Sequence, residues 1–144
     1  MEKKKLWLSW LGPGIAVLLL DRIIKQFHFT RASNAQAVQN SGMAFGLFQG
    51  NSFLILILSA ALILACFFIL RSIRLSGLAP IAISMIAGGA AGNMIDRLLY
   101  GYVLDMFPFF NWFVFNAADV GVVAGAVLCG WSLLFRPQDW SNKK

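Results

Sequence analysis

Four stretches of this chain, about Leu6–Ile24, Phe53–Leu70, Leu78–Ile95 and Phe113–Phe135, stay apolar over a length that can cross a bilayer. A helical crossing takes roughly 20 mostly apolar residues. Four such runs in 144 residues leave little chain for a water-soluble core. Composition agrees, because 59% of residues are hydrophobic and only 12% charged, against about 25% charged in a soluble domain. The predicted fold is an all-α integral membrane protein. Residues 1–144 form a single membrane domain of four transmembrane helices, with outer loops at 26–52 and 97–112. Gly12-Pro13-Gly14 is expected to kink the first span, which neighbouring helices can absorb. Gly42, Gly46 and Gly50 in the long first loop suggest turns or short strands.

Lys3, Lys4 and Lys5 before the first apolar run imitate a secretory signal peptide. That run, however, ends in Asp21-Arg-Ile-Ile-Lys25 with no small-x-small cleavage site directly after it. Ala35-Gln-Ala37 comes too late, so the first helix is expected to be retained.

The net charge of +6 is read as a topology signal, since the basic residues form no stripe and no nucleic-acid motif appears. In a four-span arrangement Lys3, Lys4, Lys5, Arg71, Arg74, Arg136, Lys143 and Lys144 share one side. Arg22, Lys25, Arg31 and Arg97 fall on the other. The excess of basic residues marks the cytoplasmic side, which places both termini there. Trp7, Trp10, Trp131 and Trp140 then suit the inner interface and Trp112 the outer one. This orientation gathers Asp21, Lys25, Asp96, Arg97, Asp105, Asp119 and the Asn40–Gly46 motif at one face of the membrane.

The chain has six acidic residues, and Asp21, Asp96, Asp105 and Asp119 touch the ends of apolar segments. Ionisable groups at membrane depth are costly and therefore functional candidates. Asp105 has apolar residues on both flanks, Tyr102-Val103-Leu104 before it and Met106-Phe107-Pro108 after it. Asp119 has a structural alternative: Asn116 suits the N-cap of the fourth helix, which puts Asp119 in a first turn where negative charge is favoured. A base that must stay ionised would want the same place. Asp21 and Lys25 stand four apart and share a helix face, which favours a structural ion pair supporting the site from behind. Gly88 and Gly92 form a small-xxx-small face for close helix approach. Gly89, Asn93 and Arg97 line up beyond it, with Asp96 alongside. Asn93 is placed to orient a carboxylate, and Arg97 to hold a phosphate or a loop carbonyl. The structural alternative is an Asp96–Arg97 interface anchor.

Cys66 and Cys129 lie inside apolar runs and read as free buried thiols. Without a CxxC, and with the single His28 unpartnered at ligand spacing, no metal site or cofactor has support. No Ser/His pair, Cys/His pair or HExxH is present either. Among hydrolytic mechanisms this leaves the two-aspartate one. Two close carboxylates share a proton, so that one takes a proton from water while the other polarises the scissile carbonyl.

The motif order resembles lipoprotein signal peptidase, also called signal peptidase II. Asp21-x-x-x-Lys25, Asn40-Ser-Gly42-Met-Ala44-Phe45-Gly46, Gly88-Gly89 with Gly92-Asn93 and Asp96-Arg97, Gly101-Tyr-Val103-Leu-Asp105, and Phe115-Asn116-Ala-Ala118-Asp119 are similar to the family's five boxes, in order. The resemblance implies an inner-membrane aspartyl endopeptidase that cuts signal peptides from prolipoproteins before a diacylglyceryl-modified cysteine. It implies Asp105 and Asp119 as the dyad, with Asn93 and Asn116 orienting it. Asn40, Gly42, Arg97 and Ala118 would hold substrate or support the site, and Asp21, Lys25 and Asp96 would brace it. It further implies a small β-sheet platform built by the first outer loop, contact with membrane phospholipid, and inhibition by the cyclic peptide globomycin. The chain departs from the family pattern at Met106, where Phe is usual, and in the 13 residues between Asp105 and Asp119, a short spacing. Both bear on the loop over the site and on substrate preference.

Two other readings use the same residues: a small transporter or channel with a carboxylate proton relay, and a non-catalytic scaffold. Clustering at one face and the absence of an internal repeat disfavour the first. Tolerance to loss of both aspartates would mark the second.

Overall fold

The computed structural model describes residues 10–31, 38–42, 50–72, 75–110 and 112–140. Lys3, Lys4, Lys5, Trp7, Arg74, Lys143 and Lys144 of the orientation argument lie outside these residues, as do Ala35–Ala37 and the Met43–Gly46 part of the loop motif. Among the described residues the chain forms α1 (Gly12–Arg31), β1 (Val38–Asn40), α2 (Ser52–Ser72), α3 (Ala79–Tyr100), β2 (Val103–Asp105), β3 (Phe107–Phe109), β4 (Phe113–Phe115) and α4 (Ala117–Phe135). A 3-10 turn, Pro137–Trp140, follows. By length and composition α2 and α4 are apolar enough to cross a membrane, with mean hydropathies of 3.1 and 1.8.

The helices begin and end where local chemistry dictates. Gly12-Pro13-Gly14 opens α1 instead of kinking it, since a proline in the first turn has no intrahelical donor to lose. Consequently α1 runs on to Arg31, and Asp21 and Lys25 sit well inside it. Helix α3 stops at Gly101, whose φ of 80° places it in the left-handed region that a side chain would strain. The apolar run that starts at Phe113 divides. Phe113–Phe115 is strand, and α4 starts only after Asn116, which caps it. The Phe/Val-rich residues pair across a hairpin, Phe107 opposite Phe115 and Phe109 opposite Phe113. β1 pairs antiparallel with β2, Val38 opposite Asp105. Three of the four described strands therefore come from the connection between α3 and α4; of the platform expected in the first outer loop the described residues include β1, while 32–37 and 43–49 lie outside them.

Helix α3 packs against each of the other three helices, and small residues make that possible. The predicted glycine face is where α1 and α4 come in. A Cβ on Gly88 would run into the Gly14 carbonyl, and one on Gly89 into the Ala118 carbonyl. Gly14 N–H donates to Ser84 Oγ at 2.9 Å, adding a polar tie between α1 and α3. Outward surfaces are apolar instead: Phe53, Leu64 and Phe68 on α2 and Val123, Val127 and Leu134 on α4 are exposed. Polar groups such as Asp21, Lys25, Asp96, Asp105, Asn116 and Asp139 are buried. Contiguous exposed apolar surface of this extent is the mark of a membrane-facing protein. Cys66 and Cys129 are free thiols, as expected; Cys66 is buried, but Cys129 is only half-buried.

Candidate active site

Asp105 and Asp119 are brought together by the pieces around them. Asp105 ends β2, which is held against β1 by backbone pairing. Asp119 lies in the first turn of α4, fixed by a reciprocal cap. Asp119 N–H donates to Asn116 Oδ1 at 2.9 Å, and Asn116 N–H donates to Asp119 Oδ2 at 3.1 Å. This is a capping box with Asn and Asp in place of the commoner Ser and Glu. The cap uses only one Asp119 oxygen. The other, Oδ1, accepts from Asn93 Nδ2 at 2.7 Å.

Asn116 links the two carboxylates. Its Nδ2 donates to Asp105 Oδ1 at 2.7 Å and to Asn93 Oδ1 at 3.0 Å, while its Oδ1 serves the cap. The side chain is fully buried, so every one of these bonds replaces water. Asp105 Oδ2 accepts from Asn40 Nδ2 at 2.8 Å, and Asn40 Oδ1 in turn accepts Gly42 N–H at 2.9 Å. Arg97 Nη2 donates to the Gly42 carbonyl at 2.7 Å. Of the two expected partners for Arg97, the loop carbonyl is the one it takes. Asn40, Gly42, Asn93, Arg97, Asn116 and Ala118 thus all stand around the two aspartates.

Burial separates the two acids. Asp105 is only 2% exposed, and burial pushes its carboxyl above the usual carboxylate range. The Asn40 and Asn116 amides pull it back, and the neighbouring Asp119 charge pushes it up again. Asp119, in the first turn of α4, is less buried.

Behind the site lies a buried charge cluster. Lys25 Nζ is 2.9 Å from Asp21 and 2.6 Å from Asp96, and Arg22 is 2.6 Å from each of the same carboxylates. Two cations and two anions make it neutral overall, which lets it remain buried. The expected Asp21–Lys25 pair is therefore half of a four-member cluster. Asp96 pairs into it and not with Arg97, because Arg97 is directed toward the Gly42 carbonyl and Asp96 toward α1. Arg22 was counted among the outer basic residues and missed as a site component. The signal that could have found it is the repeated Asp-Arg dipeptide, Asp21-Arg22 and Asp96-Arg97. Each acid of the cluster also holds backbone next to one of the two site aspartates. Asp96 Oδ2 accepts Leu104 N–H at 3.3 Å, and Asp21 Oδ1 accepts Ala118 N–H at 3.0 Å. The cluster is thus a footing for both Asp105 and Asp119.

Comparison with known proteins points the same way. Residues 14–135 match the family model described as signal peptidase (SPase) II. The lipoprotein signal peptidase of Halothermothrix orenii is 34% identical over 126 residues, covering 79% of this chain and 87% of that protein. That of Pasteurella multocida is 34% identical over 149 residues, covering 89% and 90%. A bacterial membrane enzyme solved by the in meso method at 2.3 Å superposes with a TM-score of 0.82 at 22% identity, over 94% of this chain and 93% of that one. That likeness establishes the fold. Sequence match, fold and membrane-type surface together assign the chain to the signal peptidase II family of membrane peptidases.

Proposed function

We propose that this protein is an aspartyl endopeptidase that removes signal peptides from prolipoproteins, cutting before the diacylglyceryl-modified cysteine, with Asp105 and Asp119 as its dyad. The single observation behind this reading is Asn116, which bonds both carboxylates at once. A cap alone would need only Asp119.

Asp119, at the start of α4, takes a proton from water as the water attacks the scissile carbonyl carbon. Asp105, protonated by virtue of its burial, gives its proton to the carbonyl oxygen. The resulting gem-diol collapses with cleavage of the C–N bond. Asp119 passes its proton to the departing amine nitrogen, and a gem-diol hydroxyl returns one to Asp105, so both acids end as they began. Asn93 and Asn116 keep the carboxylates oriented, and Asn40 steadies Asp105. Arg97, through Gly42, holds the first outer loop beside the substrate, while Ala118, seated on Asp21, sets the pitch of the α4 start. In this reading four helices cross the bacterial cytoplasmic (inner) membrane with both termini in the cytoplasm. The dyad then stands near the outer leaflet, in contact with phospholipid. Globomycin competes for the same site.

The test is cleavage of a lipid-modified prolipoprotein in detergent by Asp105→Asn and Asp119→Asn, made singly. Both variants are expected to stay folded and lose nearly all turnover. Wild-type cleavage by either removes that residue from the dyad, and wild-type cleavage by both leaves a scaffold.

A further inference from the structure

The β3–β4 hairpin has no part in the chemistry above, yet it joins one aspartate to the other. From Met106 to Ala118 the chain carries no charged residue and six aromatic ones. The rings form a continuous face: Phe107 lies 5.6 Å from Phe115, Phe109 5.1 Å from Phe113, and Phe109 5.0 Å from Phe110. At the tip Phe110 is 81% exposed and Trp112 84%. Phe110 has a φ of 50°, a left-handed conformation that ordinarily favours glycine or asparagine. Its ring is held there edge-on to Phe109 and largely exposed.

The base of the hairpin is continuous with the apolar helix surface. Phe107 and Phe115 wall a groove of about 470 Å³ together with Leu20 and Ile24 of α1 and Val120 and Ala124 of α4. Leu20 and Val120 are themselves among the exposed apolar residues of the helices. An uncharged aromatic tip that extends an apolar helix surface suits the bilayer interface, where Trp sets its amphipathic ring at headgroup level and Phe buries its apolar ring just below.

We infer that the Phe107–Phe115 hairpin lies in the outer-leaflet interface of the bilayer with Phe110 and Trp112 as its anchors, and so sets the depth of the two carboxylates. The mechanical link is short. Met106 N–H donates to the Phe115 carbonyl at 3.0 Å, closing the hairpin base one residue beyond Asp105 and one before Asn116. The inference uses the membrane placement proposed above, but its test does not depend on peptidase activity.

The test is a depth measurement. With Cys66→Ala and Cys129→Ala in the background, a nitroxide is attached at Phe110→Cys or Trp112→Cys. The protein is reconstituted in vesicles of phosphatidylethanolamine and phosphatidylglycerol. Collision with oxygen is expected to exceed collision with a water-soluble nickel chelate several-fold at both sites. The same label at Gln39→Cys, exposed on β1, serves as the water-facing reference. Nickel accessibility at 110 and 112 equal to that at 39 would overturn the inference. So would protection that appears only on adding a lipidated substrate peptide, which would make the hairpin a peptide cover. Inactive aspartate variants with unchanged label depth leave the inference standing.

Discussion

Both ends of α3 bury acidic side chains, and the difference between them separates a candidate site from a clamp. At the N-terminal end Asp139, 4% exposed, accepts Leu78 N–H at 3.1 Å and Ser132 Oγ–H at 3.2 Å. Leu78 stands at the N-cap of α3 and has no side-chain cap of its own, so Asp139 supplies it from the far end of the chain. Trp140 Nε1 donates to Ser132 Oγ at 3.0 Å, and its ring packs on the Cys66–Leu70–Ile83 core. Here a single acid ties down one backbone N–H and one serine hydroxyl. At the C-terminal end Asp105 and Asp119 share Asn116 and rest on a neutral ion cluster, and the Asp119 charge helps raise the Asp105 carboxyl. Burial is common to both ends; only at the C-terminal end do two carboxylates share one asparagine.

The comparison is broken most sharply by turnover. Asp105→Asn and Asp119→Asn should each lose about 10²–10⁴-fold or more, the usual scale of a general acid or base. Asp139→Ala should retain turnover and lose about 1–3 kcal/mol of stability as its donors are left unpaired. If Asp139→Ala abolishes cleavage in a folded protein, the two ends are not distinct in kind. Next in size is Lys25→Ala, which leaves two buried acids with only Arg22 between them and should cost about 3–5 kcal/mol. A thermal melt beside a turnover assay checks it. Unchanged melting with collapsed turnover would make Lys25 part of the chemistry and not of its footing.

Gly89→Ala should cost about 1–3 kcal/mol through overpacking, because the new Cβ meets the Ala118 carbonyl. It should also lower turnover by shifting Asp119 away from Asn93, whereas Gly130→Ala, with open space around it, should do neither. The smallest effect concerns pH. Burial raises the Asp105 carboxyl, and the Asn40 bond lowers it. Asn40→Ala should therefore raise it further and move the alkaline limb of the turnover profile to higher pH. In stability the sign is that of a raised acid: the contribution is present at low pH and is lost as pH climbs through the folded-state value. An alkaline limb that moves down, or not at all, would mean that Asp105 does not carry the transferred proton.

Much of the site was legible because its residues come in short, spaced groups. The Asn116–Asp119 cap, the Asp21–Lys25 pair and the Gly88/Gly92 face each follow from helix periodicity, and each is present. Less local features were not. The partner of Asp96 depends on which side α1 approaches α3. Nothing in the Asp96-Arg97 dipeptide tells that its two charges diverge, one to Lys25 and one to Gly42. The hairpin was hidden for another reason. Phe113–Phe115 is as apolar as the helix it precedes, so hydropathy ran the two together. Only pairing with Phe107–Phe109 divides strand from helix.

The sequence by itself determined a mostly helical, membrane-type chain with its acids at the ends of apolar runs, because length and hydropathy are local quantities. Tertiary structure alone decided that Asn116 serves both Asp105 and Asp119, and that Asp21 and Asp96 each brace the backbone beside one of them. Those bonds join residues up to 97 positions apart. Their existence depends on how closely glycine lets three helices approach, a distance that no single segment carries.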